Sequence, residues 1–195
     1  MRHFSRTILS CALLICWSGL ALPVQKKRYC PEPPPSPFKH NALIVTKYDG
    51  AVDRMRTTLE HPRVLGREHE GLYLSASFLH QDPNRPVSPS IELVFISTSK
   101  EFRYRDSHDF TILSDGRQWS SDRAPQYYTE TDENGIILEA TKVTLTLDAL
   151  LGVIKAKKVE AKLGTTQFEI TFNHLEALRE LASLMTPQAN AWVIR

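Results

Sequence analysis

Two short alternating runs on either side of one glycine constrain this chain most. Val159, Ala161 and Leu163 alternate with Lys158, Glu160 and Lys162. Phe168, Ile170 and Phe172 alternate with Gln167, Glu169 and Thr171. Gly164 stands between the runs. A period of two on both sides of a glycine predicts an antiparallel hairpin with one buried face. A helix then follows. Asn173 is the expected N-cap, with Glu176 three residues on as the partner of a capping box. Leu175, Leu178, Leu181, Ala182 and Met185 form one apolar stripe at helical spacing, and Thr186-Pro187 ends it. A helix of this length is marginal alone in water, so its stripe needs a platform. The hairpin before it is the nearest candidate. His174 is expected to face solvent at the first helical position.

The same periodicity organises what comes before. "NALIVTKYDG" reads as a strand running into an Asp49-Gly50 turn, and "VDRMRTTLEH" as its return strand, with a short helix as the competing reading. "GLYLSASFLH" places Leu72, Leu74, Ala76 and Phe78 on one face. "QDPNRPVSPS" is a loop, and "IELVFIST" suits a central strand. "FTILSDGRQWSS" predicts a hairpin turning on Asp115-Gly116, a pair that tolerates positive φ. "NGIILEATKVTLTLDALLGVIKA" gives one or two strands and then a short helix starting near Asp148. The expected fold is mainly β, antiparallel and sandwich-like or α+β, with one short helix and a C-terminal amphipathic helix. The segment "ALLGVIKAKKVEAKLGTTQFEITFNHLEALRELA", within residues 140–185, resembles the C-terminal part of a family of small β-rich proteins that bacteria export and that carry no assigned activity. The resemblance implies a bacterial exported protein and transfers no site.

The N-terminus gives an address. Arg2 and Arg6 precede the apolar run "ILSCALLICWSGLAL", and Gly19 and Ala21 supply small residues at its end. That pattern predicts a signal peptide over residues 1–21, cleaved after Ala21, and a periplasmic or extracellular location. The run of about 15 residues is short of the roughly 20 that span a bilayer, so retention as an anchor is the lesser reading. Cleavage would remove Arg2 and Arg6 and no acid, taking 24 basic residues to 22 against 22 acidic ones. A neutral mature chain gives no reason to expect a nucleic-acid partner. Residues 22–37, "LPVQKKRYCPEPPPSP" from Leu22, read as a proline-rich tether. Residues 38–186 form the single globular domain and 187–195 a tail. Only Cys30 would survive cleavage, in that tether, available for a disulfide-linked dimer but not for an internal bridge.

Motifs that carry chemistry are sparse. "GREHEG" sets His69 between Glu68 and Glu70, but neighbours on a strand point to opposite faces, so no metal site is expected there. His61, His80, His108 and His174 are scattered, although "HQD" at His80 and "HD" at His108 could each orient an imidazole. There is no G-x-S-x-G turn, and Ser97, Ser99, Ser114 and Ser120 read as ordinary strand-end or turn serines. The glycines stand singly, with no phosphate-binding loop, and no cofactor is implied. "KEFRYRDSHDF" alternates Arg103 and Arg105 with Phe102 and Tyr104. That could bind a glycan or nucleic acid by stacking and charge. The simpler reading is a strand with both aromatics inward. Trp119, Tyr127 and Tyr128 in "RQWSSDRAPQYYTE" are expected around a loop, where exposed aromatics suit a ligand or partner. The candidate binding residues are therefore Trp119, Tyr127, Tyr128, Arg103 and Arg105. The expected function is a non-catalytic binding or structural module of the bacterial envelope, with an envelope protein or glycan as partner. A secreted hydrolase using His, Asp and Glu side chains is the competing reading. Histidines gathered with acids in one deep pocket would favour it.

Overall fold

The structure, a computed structural model, describes residues 36–60, 72–81 and 88–185. The expected signal peptide, residues 22–35 of the expected tether with Cys30, His61, "GREHEG", residues 82–87 of the expected loop and the expected tail lie outside the described residues. Ten strands and two helices follow in the order β1 Leu43–Asp49, β2 Arg54–Glu60, β3 Leu72–His80, β4 Ser90–Ser99, β5 Phe110–Ser114, β6 Arg117–Ser120, β7 Gln126–Thr131, β8 Ile137–Thr146, α1 Leu147–Lys155, β9 Val159–Leu163, β10 Thr166–Glu169 and α2 Phe172–Met185. They make two antiparallel sheets, β1-β2-β3-β4-β8-β7 and β10-β9-β5-β6. The protein is therefore mainly β with two helices, as its periodicity predicts.

The larger sheet has one apolar face, and each strand writes it with period two. Leu59, Leu72, Leu74, Ala76, Phe78, Ile91, Leu93, Phe95, Val143 and Leu145 all point inward and are buried. Phe95 of β4 meets Phe110 of β5 and Phe168 of β10, with ring centroids 4.9 and 5.7 Å apart. The two sheets thus face each other through these rings, and β4 is an interior strand as expected. Thr146 caps α1 by accepting from the Ala149 N–H at 3.2 Å, and Asp148 and Lys155 sit where the helix dipole favours them.

The turns use the residues that the backbone requires. Asp115 and Gly116 both have positive φ, 46° and 84°, as a type I′ hairpin demands. Gly164 has φ 56°, and a Cβ there would collide with the Ser107 carbonyl, so only glycine fits the β9–β10 turn. At the β1–β2 turn the left-handed residue is Asp53, φ 53°, and not Gly50. The return strand is β2, with no helix in its place.

The closing helix departs from expectation in several ways. It begins at Phe172, because the Thr171 carbonyl accepts the first helical bond from the Leu175 N–H at 3.0 Å. Thr171, not Asn173, therefore holds the cap position. Phe172 leaves the strand alternation and is exposed. His174 is buried, not solvent-facing, and its Nδ1 lies 2.7 Å from Thr171 Oγ1. The stripe itself is as read: Leu175, Leu178, Leu181, Ala182 and Met185 are all buried. Its platform is chiefly α1, with β2 of the larger sheet, rather than the preceding hairpin. Arg179 Nε donates to the Ile154 carbonyl of α1 at 2.8 Å. Glu176 leaves the capping box and accepts instead from the Lys39 N–H at 3.1 Å and from Arg179. His40 pairs with Glu180. These contacts strap residues 39 and 40 to α2.

Leu178→Ala leaves a void in this layer and should cost about 2–5 kcal/mol. His174→Ala should cost roughly 1–3 kcal/mol, since a buried ring and its hydrogen bond both go. Urea melts of the two variants measure both. Asp115 supplies a pH dependence. Its carboxylate accepts from the N–H groups of Lys157 and Lys158 at 3.1 and 3.0 Å, and these bonds hold its pKa below the ordinary value. A carboxyl depressed on folding stabilises fully above its unfolded pKa, and that stability is lost as pH falls through the folded one. The melting advantage of the parent over Asp115→Asn should therefore be present at neutral pH and shrink in acid.

Candidate functional site

The inward face of the larger sheet turns polar at one end. Ser97 of β4 lies opposite Glu139 of β8, and Thr141 of β8 lies opposite Tyr127 of β7. All four positions share the phase of the apolar ladder, so their side chains enter the interior. Glu139 is about 1% exposed, a depth at which an ionised carboxylate must be well bonded. Three donors meet it: the Tyr127 hydroxyl and the Tyr104 N–H give to Oε1 at 2.8 and 2.9 Å, and the Arg103 N–H gives to Oε2 at 2.7 Å. The segment 100–109 is thereby pinned across the end of the sheet. His108 stacks on Tyr127, centroids 5.1 Å apart and planes 20° from parallel. Burial pushes the Tyr127 hydroxyl pKa up, and the bond to Glu139 adds to that.

This arrangement fastens segment 100–109 to the sheet. Glu139 spends both oxygens on donors, so using it as a base would release the loop. Ser97 Oγ, Thr141 Oγ1 and His108 Nδ1 are buried here with no protein partner, so Ser97 and His108 do not form the hydrogen-bonded pair that activates a serine. His80 lies elsewhere, buried, with Nε2 2.9 Å from Thr57 Oγ1. Among the described residues no three His, Cys, Asp or Glu side chains are placed to hold a metal ion.

The five candidate residues separate. Tyr127, Arg103 and Arg105 gather at the pinned segment, Arg105 with its guanidinium 3.3 Å above the Phe102 ring. That segment is not a strand: Phe102 is exposed and only Tyr104 turns inward. Its bends form because Glu139 takes the backbone N–H groups a neighbouring strand would otherwise bond. Trp119, Tyr127 and Tyr128 lie in strands and not around a loop. Trp119 belongs to the smaller sheet, donates from Nε1 to Ser114 Oγ at 2.7 Å and lies so close over Gly152 of α1 that any Cβ there would collide with its ring. It is packing. Tyr128 points outward, 53% exposed.

Tyr128 leads to the surface that the sequence reading missed. On the outward face of the larger sheet, Tyr73, Ile96, Ala140 and Tyr128 stand opposite one another across β3, β4, β8 and β7. They form one cross-strand row about 14 Å long. Val94 and the exposed Leu138 flank it. Further along the face Asp49, Arg56, Glu92 and Lys142 form a chain of ion pairs at 2.8, 3.0 and 3.3 Å. No described element packs over the row. Its signal was available as the odd phase of β3 and the even phases of β4, β7 and β8. It shows only once the register aligns them.

The chain matches no protein-family model, no curated protein and no solved structure. No described helix is long and apolar enough to cross a membrane.

Glu139→Gln should loosen segment 100–109 while leaving the sheets folded. A hydrogen bond to a charged group is worth about 1.5–3 kcal/mol, so exchange of the Arg103 and Tyr104 amides should accelerate about tenfold or more. Hydrogen exchange read residue by residue checks this, with Leu93 as the unaffected reference.

Proposed function

We propose that this chain is an exported, non-catalytic binding module of the bacterial envelope, and that its outward sheet face docks a partner protein. The observation that carries the reading is the row Tyr73–Ile96–Ala140–Tyr128, over which no described element packs, with Val94 and Leu138 beside it. A contiguous apolar strip rimmed by charge is the usual form of a protein interface. Its middle is aliphatic, which suits another protein's side chains better than the stacked faces of sugar rings. The address rests on the signal pattern of residues 1–21. The competing hydrolase reading finds less support, because Glu139 and His80 are bonded within the fold and Ser97 makes no hydrogen bond to His108.

Site-specific photocrosslinking in a bacterial host tests this. A photoreactive residue at Tyr128 or Leu138 should give one defined protein adduct in the envelope fraction. The same residue at Leu113, exposed on the smaller sheet, should give none. Ile96→Glu should abolish the adduct without moving the melting temperature by more than a few degrees. Adducts absent from both outward positions, or ester, peptide or glycan turnover lost in His108→Ala, would reject the reading.

A further inference from the structure

The outward face carries a second feature at the end away from the apolar row. A cavity of about 610 Å³ opens there, within the roughly 300–1,000 Å³ of small-ligand sites. Its floor is fixed: His80 is buried and held by Thr57, and Ser88 is buried with Oγ donating to the Ser90 carbonyl at 2.9 Å. Glu92 on its wall is already neutralised by Arg56 and Lys142. Arg54 and Arg123 also line it, and neither forms an ion pair among the described residues. Asp122, an acid with no ion pair among the described residues, shares the wall with them. Among the described residues the unpaired charge on this wall is therefore two cations against one anion. The Ser90 and Thr144 hydroxyls, on the same wall, have no hydrogen-bond partner among the described residues.

Arginine is the side chain best suited to a carboxylate or phosphate, through paired parallel N–H donors. Asp122 can only accept, so it repels a bare anion and favours a ligand that also carries hydroxyl groups. The serine and threonine hydroxyls extend that preference, since each both donates and accepts. We propose that this cavity binds an anionic, hydroxyl-rich small molecule, an acidic or phosphorylated sugar. Arg54 and Arg123 hold the anionic group, and Asp122, Ser90 and Thr144 hold the hydroxyls. The site goes beyond protein docking on the apolar row and does not depend on it.

NMR titration of the full chain tests the assignment, with glucuronate, glucose 6-phosphate, glucose and inorganic phosphate as probes. One or both anionic sugars should shift the amides of Arg54, Ser90, Arg123 and Thr144 saturably, and which one does identifies the carboxylate or phosphate source. Glucose and inorganic phosphate should each bind at least about tenfold more weakly. Arg54→Gln and Arg123→Gln, both at exposed positions, should each weaken binding about tenfold or more, the loss of a charge-assisted bond. Arg117→Gln, whose cation rests on Trp119 in the other sheet, should leave binding unchanged. The proposal is overturned by no saturable shift with either anionic sugar, by equal binding of glucose or inorganic phosphate, or by undiminished binding in both arginine variants. A protein adduct at Tyr128 without sugar binding would sink this site alone, and sugar binding without the adduct would sink only the docking face.

Discussion

Phe95 is where the structure closes. It lies on an interior strand, points into the core and touches Phe110 and Phe168, one from each of two strands of the smaller sheet. Aromatic pairs of this kind contribute about 0.5–1.5 kcal/mol each beyond the area they bury. More than energy depends on the contact. Either sheet alone would leave one apolar face in water, and the meeting of these rings turns two open sheets into one core. The rest of the inward face is then left for α1 and α2, whose buried leucines finish the cover. Of the larger sheet's two faces, only the outward one remains without a described layer over it.

Two acids of the larger sheet, Glu139 and Glu92, show what that division means for charge. Glu139 points inward and is held by the N–H groups of Arg103 and Tyr104, whose segment it fixes in place, and by the Tyr127 hydroxyl of β7. Glu92, on the paired strand, points outward and is shared by Arg56 and Lys142, each side chain about 30% exposed. Ion pairs this open to water contribute little stability. The inner carboxylate shapes the fold, whereas the outer network patterns a surface. Equal residue types on opposite phases of one pleat therefore do different work.

Much of this was legible in the sequence, because period two is a strong signal where one face is buried. The hairpins at Asp115-Gly116 and Gly164, the interior strand β4 and the stripe of α2 all followed from local rules. What the sequence hid was non-local. The segment "KEFRYRDSHDF" alternates like a strand, yet its backbone bonds go to a carboxylate 35 residues or more away. Asn173 is a good cap by type, but Thr171 holds the position because β10 stops early enough for the helix to begin at Phe172. His174 reads as a surface residue by composition and is buried because α2 packs on α1. Tyr127 and Tyr128, adjacent in sequence, fall on opposite faces of β7, so one became part of the interior and the other part of a row that only strand register assembles.

That outward face has a polarity along its strands, and the polarity bears on how its two ends act together. On β4 the face reads Ser90, Glu92, Val94 and Ile96 from the cavity to the middle of the apolar row. Glu92 and Ile96 are four residues apart, about 13 Å along an extended strand. A protein seated on the row would thus stand beside the cavity wall, within reach of a ligand larger than one sugar ring. Two ligands that touch each other, or that share the Arg56–Glu92–Lys142 network between them, must change each other's affinity by the same factor. The sheet beneath is the most closely paired part of the fold, with β4 bonded along both edges. Coupling between the two ends would therefore run through direct contact and the ion-pair chain on the surface.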